Sequence, residues 1–491
     1  MIRPLALWRR GGDTLCVPKF DTSHDPAVHP SSARLLDHQG RALEAESRIS
    51  SDILDLRKKV PHTVATEVEY DIGRRLPLTT CLLPERTTPY PLVQELARDR
   101  IRRFFHKSEE WQMFDLSFDH PAHVEFEAAR QDLVESLVAS DPAESIRLGR
   151  DGLRKSVDAC DQLTLAHAQI LLHRRFGNHP ASPSTFGVRY DGPVDSPGLR
   201  KLLSEQFGML TIPVDWAVCE PEPGNFDFSS IEGKILWASE QGLPFMVGPL
   251  LAMRPGVLPE HIPMDFKSFR DRAYDFAEQV VARFGRFCPF WNIASGLNAS
   301  RAPRFSPDET IDLARMLRLL VRQYRRDAKI MIEVREPWGE HAAEYGLDPF
   351  DFVKRLGQSG VECDAIGVRM LAGGRHRGEA VRTLFDNACL LDRLLSIDKP
   401  VVVTIGRAGG KDGLGQAKYA SLTAQLCLSR RYVQSVIWSD LYDHPRSLVE
   451  HGGMVDAQGG ARPVLAHWSK LRSKFSKPLG SVQLPKRGEG A

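Results

Sequence analysis

From Thr185 to Ser439, short apolar runs alternate with longer stretches whose apolar residues recur at helical spacing. That alternation is the pattern of βα units. Strands are predicted at Thr185–Tyr190, Phe207–Pro213, Pro244–Gly248, Phe290–Ala294, Lys329–Val334, Asp364–Arg369, Pro400–Ile405 and Ser435–Ser439. The run FWNIA within this set is apolar on both faces, as a strand covered on both sides requires. Pro307–Tyr324, rich in Leu and Arg with apolar positions at helical spacing, is predicted as a crossover helix. Eight strands over such a span match the size of a (β/α)8 TIM barrel, an α/β fold whose chemistry sits on the loops after the strands.

The periodicity is different before the barrel. Residues 1–86 read as a β-rich module, with segments at Leu5–Trp8, Thr14–Pro18, Thr63–Tyr70 and Leu76–Leu83 between Gly, Asp and Pro turns. From Pro91 the period becomes helical, with Val93, Ala97, Ile101, Phe104 and Phe105 on one face. Helices are predicted again at Val124–Ala139 and Ala143–Phe176, giving a helical segment over 87–180. The barrel is expected over 181–472, and a polar, Gly/Pro-rich flexible tail over 473–491.

Composition narrows the function classes. Lys+Arg 65 against Asp+Glu 63 leaves no general field to draw the chain onto nucleic acid or an anionic membrane. Basic pieces such as Arg98–Arg103 and Arg322–Arg326 read as solvated helix faces. No apolar run approaches the length of a transmembrane helix. The N-terminal apolar run is too short for a secretory signal. The eight cysteines are scattered without a CxxC pair, and several lie in apolar segments, which points to a reducing, cytoplasmic setting.

Candidate chemistry centres on Arg283–Asn298, RFGRFCPFWNIASGLN, where a helix end and the Gly285 turn lead into a buried strand and a loop. The segment resembles the fourth-strand motif of glycoside hydrolase family 10, the xylanase-type barrels, with Arg283, Phe284, Gly285, Trp291, Asn292 and Asn298 close to register. FGMLTIPVDWAVCEPEPGNFDFSSIEGKILWASEQGLPFMVGPLL resembles that family's second and third strands. DAKIMIEVRE, CDAIGVRM, KPVVVTIGRA and VIWSDLYD resemble its fifth to eighth strands, in order. The closing GGMVDAQGGARPVLAHW, with Asp456 and Arg462-Pro463, resembles the segment that ends these barrels.

The resemblance implies a retaining glycosidase with a glutamate after strand four and another at the end of strand seven. Such enzymes need two carboxylates about 5–5.5 Å apart, one as proton donor and one as nucleophile. Gly296 and Ile405 occupy those positions here, so no catalytic residue is assigned. The sugar-binding motifs are replaced as well, by Thr211–Trp216 after strand two and by Gly248–Arg254 after strand three. Strand six carries Arg369 and Leu371, and strand five carries Glu333-Val334-Arg335-Glu336. The candidate substrate-binding set is Asp215, Trp216, Arg254, Trp291, Asn292, Glu333, Glu336, Arg369, Trp438 and Asp440. Trp216, Trp291, Trp338, Trp438 and Tyr442 are candidates for a sugar-stacking platform; Trp291 and Trp438 read equally as residues packed at strand ends, and Trp338 as a pocket residue.

Glu333, Glu336, Glu340, Asp215, Asp440 and Asp443 are all expected on the catalytic face, beside Arg254, Arg335, Arg369 and Arg407. An arginine neighbour favours the charged form of a carboxylate, which disfavours service as a general acid. The glycine-rich GRAGGKDGLG at Gly406–Gly415 departs from the Walker spacing and reads as a loop. No HExxH and no histidine pair at ligand spacing appears, so neither metal nor cofactor is implied. His167 and His173 read as ordinary helix residues. The expectation is a family-10-like pseudoenzyme that is structural or binds a β-linked oligosaccharide. Two alternatives stand beside it: an active glycosidase with carboxylates relocated to Glu333, Glu336 and Asp440, and a protein-interaction module.

Overall fold

The computed structural model of the chain describes residues 15–480 apart from 24, 51, 59–62, 87, 192–195, 255, 340–345, 374–379 and 411–412. The expected strand Leu5–Trp8 lies outside the described residues. Two units divide between Leu163 and Thr164.

The first unit holds two four-stranded sheets. One is built from β1 (Leu15–Asp21), β4 (Ala45–Ser50), β5 (Ile53–Lys58) and β8 (Tyr90–Pro91), in the order β4-β5-β1-β8. The other is built from β2 (Val28–Leu36), β3 (Ala42–Leu43), β6 (Ala65–Asp71) and β7 (Arg75–Thr79), in the order β3-β2-β6-β7. Strands β2, β3, β4, β5 and β8 are additions to the sequence-based expectation. Helices α1 (Leu92–Glu110) and α2 (Pro121–Val138) follow, and α3 (Pro142–Phe176) begins in the first unit and ends, from Thr164 on, in the second. Tyr70 on β6 donates to Asp25 at 2.8 Å, and Arg150 on α3 reaches the other oxygen of Asp25 at 2.9 Å. That buried polar link joins sheet to helix, and burial pushes the Tyr70 hydroxyl well above the usual phenol range.

The second unit is a closed barrel. Its strands are β9 (Phe186–Arg189), β10 (Met209–Ile212), β11 (Phe245–Val247), β13 (Phe290–Ser295), β14 (Lys329–Val334), β15 (Ala365–Ala372), β16 (Val401–Arg407) and β17 (Val433–Trp438). All eight are parallel, and β17 pairs back onto β9. Closure on the other side comes from β11 pairing with β13 at Val247 and Trp291. A two-residue extension, β12 (Leu251–Ala252), continues along the upper end of β13. Met209, Met246, Met331, Ala365, Val402 and Ile437, drawn from six different strands, fill one layer of the interior.

Helices cover the outside: α4 (Pro197–Gln206), α5 (Trp216–Cys219), α6 (Ser229–Glu240), α7 (Phe266–Phe284), α8 (Pro307–Tyr324), α9 (Pro349–Gln358), α10 (Leu384–Leu394), α11 (Leu414–Leu428) and α12 (Pro463–Phe475). Their starts are written in the sequence. Ser306 and Glu309 form a reciprocal capping box at α8 with Pro307 at the first helical position, and Asp265 and Thr383 cap α7 and α10.

The chain stays packed beyond residue 473, where the loose tail was expected. Leu471 and Phe475, one turn apart, are buried on α12, and Phe475 meets Phe176 edge-on with ring centroids 5.2 Å apart. The Leu479 backbone then donates to Phe176 at 2.9 Å.

Arg175, near the end of α3, donates to three backbone carbonyls, those of Leu428 (2.8 Å), Arg430 (2.6 Å) and Val433 (2.9 Å). Burial lowers its pKa to about 10, so the guanidinium stays charged at neutral pH. Arg175→Ala strands these acceptors and should lower the unfolding free energy of the barrel unit by about 2–3 kcal/mol. Urea denaturation followed by tryptophan fluorescence measures it, and an unchanged midpoint would count against the role.

Candidate functional site

The C-terminal ends of the barrel strands collect charged side chains on one face. Gly296 follows β13, and Ile405 is fully buried in β16. At Gly296 the backbone is left-handed, φ +78°, and an added Cβ would lie 2.6 Å from Arg335 Cδ. The space a side chain would need is taken by Arg335, which donates to the Met253 carbonyl at 2.9 Å. Asn298 clamps the Arg335 backbone at both its N–H (3.1 Å) and its carbonyl (2.9 Å).

Each rim carboxylate is held. Glu333, at the end of β14, is 5% exposed, forms an ion pair with Arg369 of β15 and accepts from Ser295 Oγ at 2.6 Å. Glu336 is also buried and accepts from Arg301 at 3.0 Å. Asp215 accepts from Arg446 at 2.8 Å. Asp443 pairs with Arg462 and accepts from the Gly453 backbone at 2.7 Å. Asp440 has no exposed surface: it accepts from the Leu448 N–H (2.6 Å), the Val449 N–H (3.1 Å) and Ser439 Oγ (2.7 Å). Glu340 lies outside the described residues.

A second cluster was not anticipated from sequence. Arg189, at the end of β9, sits between Asp191 and Asp440, and His444 Nε2 lies 2.8 Å from Asp191. The Asp191, Asp440 and His444 ligand atoms lie within 4.8 Å of one another, so together they could hold a metal ion. The Arg189 guanidinium contacts both carboxylates and already supplies the positive charge there, so a cation would have to displace it.

Of the five aromatic candidates, Trp216, Trp291 and Trp438 are buried, whereas Trp338 and Tyr442 are partly exposed. Trp216 is stacked on Phe276 at 4.8 Å with its indole N–H donated to Glu220 at 2.7 Å. Trp291 is fully buried, and its neighbour Asn292 is 2% exposed. Trp438 packs edge-on to Trp468 and donates to the Gly452 carbonyl at 2.9 Å. These three residues serve as barrel core. Trp338 is half-buried, with the Arg382 guanidinium 4.8 Å from its ring centroid.

A cavity of about 470 Å³ opens on this face, within the usual range for small-molecule sites. Its wall includes Arg254, Arg369, Leu371, His444, Asp456 and Arg462. It therefore brings together Arg254 and Arg369 of the anticipated set and leaves the three buried tryptophans out. Much of the wall is the segment after β17, in which His444 and Glu450 carried no recognisable motif.

No family model matches the chain, and no curated protein matches it. Among solved structures, the chain is similar to xylanase 10B from Thermotoga petrophila RKU-1 in complex with xylobiose. Identity is 15% over 62% of this chain and 97% of that one, with a TM-score of 0.46. Xylanase B from Clostridium stercorarium F9 gives 16% identity over 61% of this chain and 98% of that one, TM-score 0.46. Endo-1,4-beta-xylanase XylE from Penicillium canescens gives 16% over 63% and 98%, TM-score 0.45. The closed eight-stranded barrel is the architecture the family-10 motifs imply. No helix among the described residues is long and apolar enough to cross a membrane.

His444 offers a pH test of the cluster. Its Nδ1 accepts from the Arg446 backbone at 3.3 Å while Nε2 faces Asp191, the pattern of a neutral imidazole. Burial, then the nearby Arg189 charge, push its pKa down to about 4 from 6.5. Between those values the unfolded chain binds the proton and the folded chain does not. The stability contribution is therefore full above the unfolded value and is lost as pH falls toward 4, by on the order of 3 kcal/mol. Relative to the parent, His444→Gln should lose less stability between pH 7 and 4.5 in urea titrations. Equal losses in the two proteins would refute the assignment.

Proposed function

We propose that this chain is a family-10-like barrel that has given up glycoside hydrolysis and retains a ligand pocket for a β-linked oligosaccharide. The observation that carries this is the state of the two positions the chemistry requires. Gly296 and Ile405 stand where the motifs would place the acid and the nucleophile, and the nearest replacement, Glu333, is tied to Arg369 and Ser295. A retaining mechanism needs one carboxyl free to donate a proton and one free to attack the anomeric carbon. Here the lone pairs of Glu333, Glu336 and Asp440 are directed at protein donors. The strand motifs in family order support a saccharide as ligand, and the cavity on the C-terminal face supplies room for one. A reducing, cytoplasmic compartment fits the cysteines: Cys219, Cys288, Cys363 and Cys427 are free and buried.

One observation favours a second reading, an interaction module. Phe105, Phe118, Val124 and Val138, from the segment spanning α1 and α2, are each more than half exposed.

An aryl β-xyloside tests the loss of hydrolysis most sharply, because its good leaving group needs little acid and would reveal a surviving nucleophile. The native chain should give no turnover above buffer. Gly296→Glu with Ile405→Glu should also stay inactive, and should lose at least about 1–3 kcal/mol of stability from the left-handed backbone at 296 alone. Turnover by the unmodified protein that disappears in Glu333→Gln or Glu336→Gln would overturn the proposal and establish relocated catalysis.

A further inference from the structure

The cavity wall is densely charged, and both signs are present. It presents three arginines, Arg254, Arg369 and Arg462, beside three carboxylates, Asp443, Glu450 and Asp456, and no tryptophan for a sugar face to stack on. The arginines are not equivalent. Arg462 is spent on the wall itself, pairing with Asp443 and donating to the carbonyls of His451 (2.8 Å) and Gly453 (2.9 Å). Arg254 donates to the Arg446 carbonyl at 3.0 Å.

Arg369 is the distinctive one. It projects from the middle of a barrel strand, is only 8% exposed, and still lines the cavity. Its Nε side faces Glu333, the one ion-pair partner it has among the described residues. A guanidinium carries five N–H donors in a planar fork, so the Glu333 contact leaves donors over. Burying a charged fork at the floor of a cavity is costly unless its donors are satisfied. Two of the wall's carboxylates are engaged elsewhere. Asp443 is paired with Arg462, and Asp456 accepts the backbone N–H groups of Gln458 (2.9 Å) and Gly460 (2.7 Å).

We propose that the cavity takes a carboxylate-bearing sugar, a uronic acid unit of a β-linked oligosaccharide, with its carboxylate on the outward edge of Arg369 and Arg254 on the adjoining wall. The planar fork matches a carboxylate in two parallel N–H···O bonds, which a neutral hydroxymethyl group cannot form. The inference rests on the barrel being a sugar-binding protein and adds the charge of the sugar.

Isothermal titration of the full chain decides it, with four probes: glucuronate-substituted xylotetraose, unsubstituted xylotetraose, free glucuronate and inorganic phosphate. The substituted oligosaccharide should bind at least about tenfold more tightly than the unsubstituted one, the scale of one charge-assisted hydrogen bond. Raising salt should narrow the gap. Arg369→Lys keeps the charge without the fork and should lose most of the preference. Arg369→Gln combined with Glu333→Gln, which leaves neither buried charge unpaired, should abolish it while the fold persists by circular dichroism. Equal binding of both oligosaccharides would overturn the uronate assignment and leave sugar binding standing. Binding of phosphate but neither oligosaccharide would overturn both and mark a plain anion site. No binding of any probe would likewise overturn both.

Discussion

Everything on the candidate face depends on closure of the barrel between β11 and β13. A parallel sheet left open there would present unpaired backbone groups to the interior, and the strand ends would not converge on one cavity. The contact is narrow, a single register at Val247 and Trp291. It works because Gly248 follows at once, in a conformation with φ +120° where any Cβ would meet the Asn292 carbonyl oxygen at 2.1 Å. The chain then turns along β13, with the Leu250 N–H donating to that same carbonyl at 3.0 Å and β12 extending the pairing upward. Arg254 reaches the cavity from just beyond this turn, so backbone packing at one seam positions a charge on the cavity wall.

The face carries a high density of charge, and most of its carboxylates are engaged by donors of the protein itself. Buried ion pairs are weak evidence of net stability, because the cost of taking each charge out of water offsets their attraction. Their effect here is on chemistry: a carboxylate surrounded by donors is an acceptor already in use. Glu333 with Arg369, and Asp191 with Arg189, are the clearest cases. The same pairing makes single substitutions hazardous, since removing one partner leaves the other charged and buried.

Much of the barrel was legible in the sequence because parallel strands buried on both faces leave an unambiguous apolar signal. All eight predicted strands overlap observed ones, and the Ser306-Pro307 start of α8 was marked by its own capping residues. The first unit was harder. Segment β2, VHPSSARLL, is partly covered, and β4, AESRIS, is exposed at the side chains described; both are rich in Ser and Arg, so their period carries little apolar contrast. The site was legible as a list of residues and not as roles. Trp291 and Trp438 read equally well as stacking surfaces or as core, Trp216 read as a stacking surface, and burial places all three inside. Arg189, Asp191 and His444 were missed because they meet across more than 250 residues of chain, with no local spacing to announce them.

The segment after β17 carries a further consequence. Asp440, Asp443 and Asp456 each accept backbone N–H groups from within it, those of Leu448, Val449, Gly453, Gln458 and Gly460. Three aspartates thus act as internal rivets for a stretch that has little regular secondary structure of its own. A guest arriving at the cavity meets a wall whose backbone entropy was surrendered when the chain folded, so little ordering remains to oppose association. Selectivity at such a wall is decided by fit on arrival, and a guest of the wrong shape cannot recruit the loop to accommodate it.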